Sequence, residues 1–494
     1  MGRERITHVI VLMMENRSFD HLLGYLKHDS PDYPRLTDIK PSCPEDPAKP
    51  DGRRVDTAPS ASAVLGTDPD HSHKSVMRQM AGTPPMSGFI ESYREKIGPT
   101  KQPWWAILLI SLKRVWNWLR RRPRPIIAKP DEIMRCFPDS GVPVLGTLAR
   151  QYAVMVNWHA SVPGETWPNR QYAHAATSHG TANIEVNFYT DETIFERLGD
   201  AWAVYHDGVA QVWAYPKLWL EGLDHFHDTD RLIHDIEQGT LPSYAFVEPN
   251  HGYGRGEGNS QHPGNNLVSG ASFRAGEALM ARIYNALVAN PAVFAQTLLL
   301  ITYDEHGGFF DHVPPVPVVP PDKLRDKSGF DFSISGIRVP AVAVSPLIPA
   351  GTVDRTFYEH ATIPAMVRRQ FAPHQAPLTH RDAAANDLLD HLPLLAEART
   401  DIRPIAFAPT APEEGTGHPL NEFQATLVDL AGAVDVARRR VEPRARRAGP
   451  EPVVVPPFEP NPATRAAAEA RVLEPGSNAE QIVSAMVADF TSDP

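Results

Sequence analysis

Two short, mainly apolar runs along the chain each end in a pair of polar side chains. The run over residues 6–14 is followed by Glu15 and Asn16, and the run over residues 298–303 is followed by Asp304 and Glu305. Continuous runs of Val, Ile and Leu are typical of strands in a parallel sheet that is covered on both faces. Because ligands bind beyond the carboxyl ends of such strands, we expect both polar pairs to open onto one crevice.

Three further segments show the same pattern, at residues 154–157, 244–247 and 341–344. Between the last two, residues 272–289 carry apolar side chains spaced four apart, which indicates a helix. Alternating strands and helices predict an α/β fold with a mainly parallel sheet covered by helices on both faces.

Each of these further strands leads into polar residues. Thr166 follows a Pro-Gly turn after the first, Glu248 and His251 follow the second, Ser345 follows the third, and His262 lies in a glycine-rich stretch. In isolation, an acidic residue and an amide after a strand more often form a helix cap or a turn. Together, the carboxylate, amide and hydroxyl groups at these strand ends favour metal-assisted ester chemistry.

The composition is that of a large folded protein. The 494 residues are 42% hydrophobic and carry a formal net charge of -11. A chain of this length can bury a sizeable core, and we expect one main domain over residues 1–400. The net negative charge argues against a nucleic-acid partner, because binding to a phosphate backbone normally needs a basic face.

The C-terminal part has a different composition. Residues 401–494 are rich in Pro, Ala and Arg, and helices are predicted at residues 421–440 and 463–472. This extension contains no cluster of catalytic residue types. The sequence leaves open whether it packs on the main domain or acts as a tether.

The chain contains only two cysteines, and its first residues do not resemble a secretion signal. Cys43 and Cys136 are expected to be free thiols, with a single disulfide as the alternative. The first apolar run begins at Ile6, which leaves no room for a conventional secretion signal. We therefore expect a cytoplasmic or peripheral membrane location, with signal-independent export as the alternative.

Residues 104–124 form a separate amphipathic pattern. On a helix, one stripe would carry Trp104, Leu108, Leu112, Trp116 and Leu119, and another Lys113, Asn117, Arg120 and Arg121. Interfacial tryptophans beside a basic face favour a membrane-surface or lid role. The segment is too short and too charged to span a bilayer. The alternative interpretation is a helix packed on the core.

Three motifs in the chain resemble those of one known family. Residues 13–21, 163–170 and 302–313 are similar to the signature segments of the bacterial phosphoesterase family, and the resemblance continues to about Phe371. That family contains phospholipases C and acid phosphatases on an alkaline-phosphatase-like α/β core. The resemblance makes residues 1–400 the phosphoesterase catalytic domain. It also implies a centre for one divalent metal ion, with the ligands Glu15, Asn16, Thr166, Asp304 and Glu305.

The same resemblance makes Thr166 the nucleophile and implies a phosphothreonyl intermediate. Threonine is a poor nucleophile at its ordinary pKa, and coordination to a divalent cation favours the alkoxide. Oxygen-rich ligands suit Ca²⁺, Mg²⁺, Mn²⁺ and Zn²⁺, so the identity of the metal stays open. In the family, phospholipase-like members have Thr at this position and acid-phosphatase-like members have Ser, so Thr166 favours phosphodiesters.

Several histidines have positions similar to those of the family's phosphate-contacting histidines. These are His71, His206 and His262, with His73 as an alternative to His71. Histidine is the usual group for protonating a leaving group near neutral pH. Asp311, the last acidic residue of the third motif, either supports the metal ligands or braces its own loop.

Three function classes follow. A metal-dependent phospholipase C acting on phospholipid phosphodiesters is favoured, and a phosphomonoesterase with the same site is the alternative. A non-catalytic membrane-binding protein on the same fold is the third, against which the intact Thr166 and acidic residues argue. Residues 83–90 depart from the corresponding family segment, so the substrate head group stays open.

Overall fold

A computed structural model of the chain describes residues 2–46, 49, 51–98, 128–252, 258–266, 271–407, 422–445 and 458. The predicted amphipathic segment at residues 104–124 and the predicted helix at residues 463–472 lie outside the described residues.

A mainly parallel sheet of eight strands forms the centre of the fold. The described strands are β1 His8–Met14, β2 Ser42–Pro44, β3 Arg54–Asp56, β4 Ala153–Met155, β5 Trp158–His159, β6 Trp202–His206, β7 Phe226–His227, β8 Tyr244–Glu248, β9 Thr297–Tyr303, β10 Ala341–Val344, β11 Thr352–Asp354 and β12 Tyr358–Glu359. The large sheet has the order β11-β4-β10-β9-β1-β8-β6-β7, and two small sheets pair β12 with β5 and β2 with β3.

The two central strands are covered on both faces, as the sequence predicts. Every residue of β9 is buried, and so is every residue of β1 after His8. Because successive side chains of a strand point to opposite faces, full burial means that both faces are packed. The strands β1 and β9 are parallel, with Met14 opposite Tyr303, so the polar pairs that follow them lie at the same edge.

One strand runs against the expected direction. β10 is antiparallel to both of its neighbours, β9 and β4, so Ser345 leaves the sheet at the edge opposite to Glu15 and Asp304. A parallel return would need a crossover, usually through a helix, and residues 304–340 contain no α-helix. The chain therefore enters β10 from the edge at which β9 ends, and Ser345 is removed from the candidate site.

Helices pack around this sheet and give the predicted α/β class. The described helices are α1 Phe19–Leu23, α2 Leu36–Ile39, α3 His73–Met80, α4 Phe89–Ile97, α5 Pro143–Gln151, α6 Thr166–Ala175, α7 Pro216–Glu221, α8 Thr229–Gln238, α9 Ala271–Ala289, α10 Pro291–Phe294, α11 Thr362–Phe371, α12 His380–Ala384, α13 Leu388–His391 and α14 Glu422–Ala445. One group contains α5, α8 and α10 around α9, and another contains α6, α12 and α13 around α11.

The long helices agree with the sequence pattern. The helix predicted at residues 272–289 is α9, in which Leu279, Ile283 and Leu287 are buried in the main core. The helix predicted at residues 421–440 is α14, whose Leu427 and Val434 belong to the same core.

Helix α14 also reaches the edge of the sheet where β1 and β8 end. Nε2 of Gln424 donates to the carbonyl oxygen of His251 at 2.8 Å. Nε1 of Trp167 donates to the hydroxyl of Thr426 at 3.2 Å. In this way α14 contacts a neighbour of Thr166 and the loop that follows β8.

Cys43 and Cys136 are both buried and free, which confirms the expected thiols. Among the helices within the described ranges, none combines the length and the apolar composition needed to cross a membrane.

Candidate functional site

The site is built where β1 and β9 end side by side. The backbone N–H of Asp304 donates to the carbonyl oxygen of Met14 at 3.1 Å, which extends the pairing by one residue. Glu15 follows Met14 directly, and its own N–H donates to Ser260 at 3.0 Å. Glu15, Asn16, Asp304 and Glu305 are all fully buried. The sheet thus brings the two predicted polar pairs together.

Asn16 turns the chain sharply at this edge. Its φ of 57° lies in the left-handed region, which a side-chain amide tolerates better than most residues. A Cβ on Gly307 would lie 2.1 Å from the carbonyl oxygen of Asn16, so only glycine allows the two loops to pass this closely. The N–H of Arg17 donates to the carbonyl oxygen of Glu305 at 2.9 Å and locks the two loops together.

Thr166 also lies at this edge of the sheet, but it belongs to a helix and not to a strand. It is the first residue of α6 and is fully buried. Its hydroxyl donates to Oδ1 of Asn16 at 3.3 Å. The N-terminus of a helix carries unpaired N–H groups and a partial positive charge, which favour an anion beside Thr166.

The side chains of Glu15 and Glu305 each have one carboxylate oxygen, Oε1, that no described residue contacts through a hydrogen bond. Oε2 of Glu15 lies 2.7 Å from Nδ1 of His251, and Oε2 of Glu305 accepts from the N–H of Gly307 at 2.7 Å. Oε1 of Glu15 and Oε1 of Glu305 are buried and have no hydrogen-bond partner among the described residues. Buried carboxylate oxygens without a partner are costly, so a cation is the natural partner for both.

Asp304 is held more firmly than the other carboxylates. Its Oδ1 accepts from the N–H groups of Asn16 and Glu305, at 3.0 and 2.7 Å. Its Oδ2 accepts from Nε of Arg170 at 3.1 Å. Oδ2 therefore has one remaining lone pair for another ligand.

The acidic residues repel one another when no cation is present. Burial raises the pKa of Asp304 to about 7, and the charges of Glu15 and Glu305 add to this increase while Arg170 opposes it. Burial also raises the pKa of Glu305 to about 7, against the opposing effect of His71. Both shifts have the same physical cause, because negative charge is concentrated in a place that water does not reach.

His71 faces this acidic group. Burial alone would lower its pKa, but the carboxylates of Glu305 and Asp68 raise it to about 9. Nδ1 of His71 donates to the carbonyl oxygen of Pro69 at 3.0 Å, and its Nε2 lies 3.4 Å from Nδ2 of Asn16. When His71 is protonated, its Nε2 and Nδ2 of Asn16 are both hydrogen-bond donors. One acceptor within reach of both atoms would therefore pair with each of them.

His262 lies next to His71, with ring centroids 6.1 Å apart. Burial lowers the pKa of His262. The N–H of Gly264 donates to its Nδ1 at 2.9 Å, so the neutral ring carries its proton on Nε2. The two histidines therefore differ in charge near neutral pH.

The other two histidines have different surroundings. His206 is opposite Glu248 in the sheet and packs edge-on against Trp213, with centroids 5.2 Å apart. No hydrogen bond among the described residues joins His206 to Thr166 or to the predicted ligands. Nδ1 of His73 lies 2.6 Å from the carbonyl oxygen of Pro163, which favours His71 over His73 as the histidine that faces the site.

Asp311 belongs to a separate charged cluster. Nε of Arg338 lies 3.0 Å from Oδ1 of Asp311, and Nη2 of Arg338 lies 2.9 Å from Oδ1 of Asp20. His312 is 2.7 Å from the other oxygen of Asp20. Asp20, Asp311 and His312 have donor atoms within 4.8 Å of one another, a spacing that suits a metal ion. However, Arg338 already forms ion pairs with both carboxylates. The cluster joins the segments that follow β1 and β9.

Several charged residues of the site received no role from the sequence. Arg170, Glu248 and His251 form a buried ion-pair chain beside the predicted ligands, and Asp68 lies near His71. The strand pattern placed Glu248 and His251 at the end of β8, but their further partners, Arg170 and Glu15, come from other segments. Arg170 lies one turn after Thr166 on α6. This spacing in the sequence could have indicated that the two side chains lie on the same face of the helix.

Comparison with known proteins finds matches to one family and to proteins named phospholipase C. The model of the Phosphoesterase family matches residues 6–372. The chain is 31% identical to Non-specific phospholipase C6 of Arabidopsis thaliana over 87% of this chain and 81% of that protein. It is 24% identical to Hemolytic phospholipase C of Pseudomonas aeruginosa over 81% of this chain and 57% of that protein.

Solved structures with some similarity include a protein in the alkaline phosphatase superfamily from Vibrio parahaemolyticus. Its TM-score is 0.28 at 12% identity, and the match covers 46% of this chain and 59% of that one. From the sequence matches, this α/β protein is a phosphoester hydrolase. The chain belongs to the Phosphoesterase family, as its motifs predict.

Proposed function

We propose that the chain is a metal-dependent phospholipase C that cleaves phospholipid phosphodiesters through a covalent intermediate on Thr166. The main support is that Oε1 of Glu15 and Oε1 of Glu305, both buried, lack a partner among the described residues. The relatives named phospholipase C from a plant and a bacterium support the substrate class.

The proposed metal site is made of oxygen donors. Its ligands are the side chains of Glu15, Asn16, Thr166, Asp304 and Glu305. Oxygen donors of this kind fit Ca²⁺, Mg²⁺, Mn²⁺ or Zn²⁺. When bound, a divalent cation would lower the pKa of the Thr166 hydroxyl and offset the negative charge of the phosphate.

Thr166 is the proposed nucleophile. The hydroxyl of Thr166 gives its proton to solvent and takes one back when water later displaces it. Its Oγ1 forms a bond to phosphorus while the bond from phosphorus to the glycerol oxygen breaks. Diacylglycerol leaves, and the phosphorylated head group stays on Thr166. Water then displaces Oγ1 from phosphorus and releases the head group. The amide of Asn16 holds the hydroxyl in place at 3.3 Å before this step.

His71 is the proposed proton donor to the leaving alcohol. Without a bound cation, the carboxylates of Glu305 and Asp68, acting against burial, raise its pKa to about 9, which favours the charged form. Its Nε2 proton would pass to the glycerol oxygen, and the neutral ring would then accept a proton from the attacking water. His262, with a proton on Nε2, is proposed to donate a hydrogen bond to a phosphate oxygen.

Three further assignments are also proposals. His206 is proposed to contact the substrate from the end of β6, one strand further out than Glu248. Residues 104–124 are proposed to contact the membrane surface. The chain is proposed to divide near residue 400 into a catalytic domain and an extension that packs on it through α14.

The test compares two substrates with purified, metal-loaded protein. The first is phosphatidylcholine in vesicles, and the second is p-nitrophenyl phosphate, a monoester. We expect diacylglycerol and phosphocholine from the vesicles at a kcat/KM well above that for the monoester. Faster hydrolysis of the monoester, with no diacylglycerol formed, would instead make the enzyme a phosphomonoesterase.

A further inference from the structure

A continuous chain of paired acidic and basic side chains lies next to the candidate site. Nδ1 of His251 lies 2.7 Å from Oε2 of Glu15, and Nε2 of the same ring lies 2.9 Å from Oε1 of Glu248. On the other side, Nη1 of Arg170 lies 2.8 Å from Oε2 of Glu248, and its Nε lies 3.1 Å from Oδ2 of Asp304. Each of these side chains is at most 2% exposed.

Glu248 is the centre of this chain. It is the last residue of β8, which pairs with β1 inside the sheet, and each of its oxygens contacts a different basic side chain. The contacts lead in two directions, through His251 to Glu15 and through Arg170 to Asp304. The two ends of the chain are therefore two of the proposed metal ligands.

Arg170 adds a second link to the same edge. Its Nη2 donates to the carbonyl oxygens of Met13 and Met14, at 3.0 and 3.2 Å. These are the last residues of β1 before Glu15. A shift of Arg170 would therefore displace both the side chain of Asp304 and the backbone that carries Glu15.

We propose that Glu248 is a positioning residue which, through His251 and Arg170, sets the placement of Glu15 and Asp304 for metal binding. This inference rests on the proposed function, since it takes both residues as metal ligands. Groups that orient metal ligands typically affect metal affinity by about 10- to 100-fold. Glu248 itself would touch neither the metal nor the substrate.

The substitution Glu248→Gln tests this at nearly constant volume. It removes the carboxylate that contacts both His251 and Arg170, while the amide can still accept one hydrogen bond. The matched control is Asp235→Asn, which removes a buried carboxylate paired with Arg231 at 2.8 Å in helix α8. Asp235 contacts Tyr205, Arg231 and Thr240, and none of these residues belongs to the candidate site.

The measurement is the Kd for Mn²⁺, obtained by calorimetry on protein stripped of metal. We expect Glu248→Gln to raise the Kd by about 10- to 100-fold, with the control within about twofold of wild type. Activity of Glu248→Gln on a soluble phosphodiester should recover at high Mn²⁺, because the ligands themselves remain. A merely structural role would lower Tm and leave the Kd unchanged.

A second variant, His251→Gln, changes the side chain that lies between Glu248 and Glu15. It replaces Glu248→Gln in the test if that variant does not fold. The double variant should lose less binding free energy for Mn²⁺ than the two single variants lose together, because both substitutions break the same connection. If wild type binds Mn²⁺ and both variants bind it equally well, the positioning role is wrong and the metal site stands. If wild type binds no divalent cation, the proposed function itself fails.

Discussion

The hydroxyl of Thr166 donates a hydrogen bond of 3.3 Å to Oδ1 of Asn16, a residue 150 positions earlier in the chain. This contact joins the start of helix α6 to the end of strand β1. It places a hydroxyl, an amide and buried carboxylates at one edge of the sheet. The proposed mechanism depends on this meeting point, and the predictions below test its parts separately.

The first prediction concerns the nucleophile. Thr166→Ala should lower kcat on a chromogenic phosphodiester by several decades, because it removes the atom that bonds to phosphorus. Thr166→Ser keeps a hydroxyl and is the matched control, with most of the activity expected to remain. Circular dichroism should show both variants folded. More than about a tenth of wild-type activity in Thr166→Ala would mean that another group attacks phosphorus.

The second prediction concerns the metal. Glu15, Asp304 and Glu305 lie together in a buried place, so removal of a bound cation should leave them in mutual repulsion. Exhaustive chelation should therefore lower both Tm and activity, and adding back Mn²⁺ should restore both. Calorimetry with and without chelator measures the change in Tm. Full activity together with an unchanged Tm after chelation would refute a metal-dependent site.

The sequence predicted that the two polar pairs of the candidate site lie together, because both pairs follow buried strands. The runs before Glu15 and Asp304 indicated two strands of one sheet, and parallel strands place their ends together. The direction of β10 could not be predicted, because it depends on whether residues 304–340 form a crossover. The same limit applies to Glu248 and Arg170, since their partners come from four separate segments.

Two histidines that resemble the family's phosphate-contacting histidines have different surroundings. His71 lies beside Asn16, whereas the contacts of His206 are with Trp213 and its own turn. The sequence distance from a motif does not say which way a side chain points. Only the packing of β6 against its neighbours decides this.

The third prediction concerns pH and a carboxylate outside the site. Burial raises the pKa of Glu277 from 4.5 to about 7, although its side chain accepts hydrogen bonds from the N–H groups of Val144 and Leu145. The folded protein therefore holds this proton more tightly than the unfolded chain. Its contribution to the free energy of unfolding is present below pH 4.5 and is lost as the pH rises to about 7.

The substitution Glu277→Gln removes this titration and keeps an acceptor for the same N–H groups. Relative to wild type, the variant should gain up to about 3 kcal/mol in free energy of unfolding between pH 4.5 and pH 8. Urea unfolding of both proteins at a series of pH values measures the difference. A difference that does not change with pH would show that Glu277 has an ordinary pKa in the folded protein.

The fourth prediction concerns residues 104–124. If this segment contacts the membrane surface, its deletion should reduce hydrolysis of anionic phospholipid vesicles and spare a soluble phosphodiester. Each Lys or Arg near an anionic surface contributes ~1 kcal/mol, so vesicle activity should also fall with added salt. Parallel loss of both activities and of solubility would instead indicate a helix packed on the core.

The location of the metal tests the central claim most directly. Crystals soaked in Mn²⁺ and measured at the manganese absorption edge give the position of the ion independently of activity. We predict one anomalous peak with Oγ1 of Thr166 and oxygens of Glu15, Asp304 and Glu305 within about 2.0–2.6 Å. A peak between Asp20, Asp311 and His312 instead, or no peak near Thr166, would contradict the account.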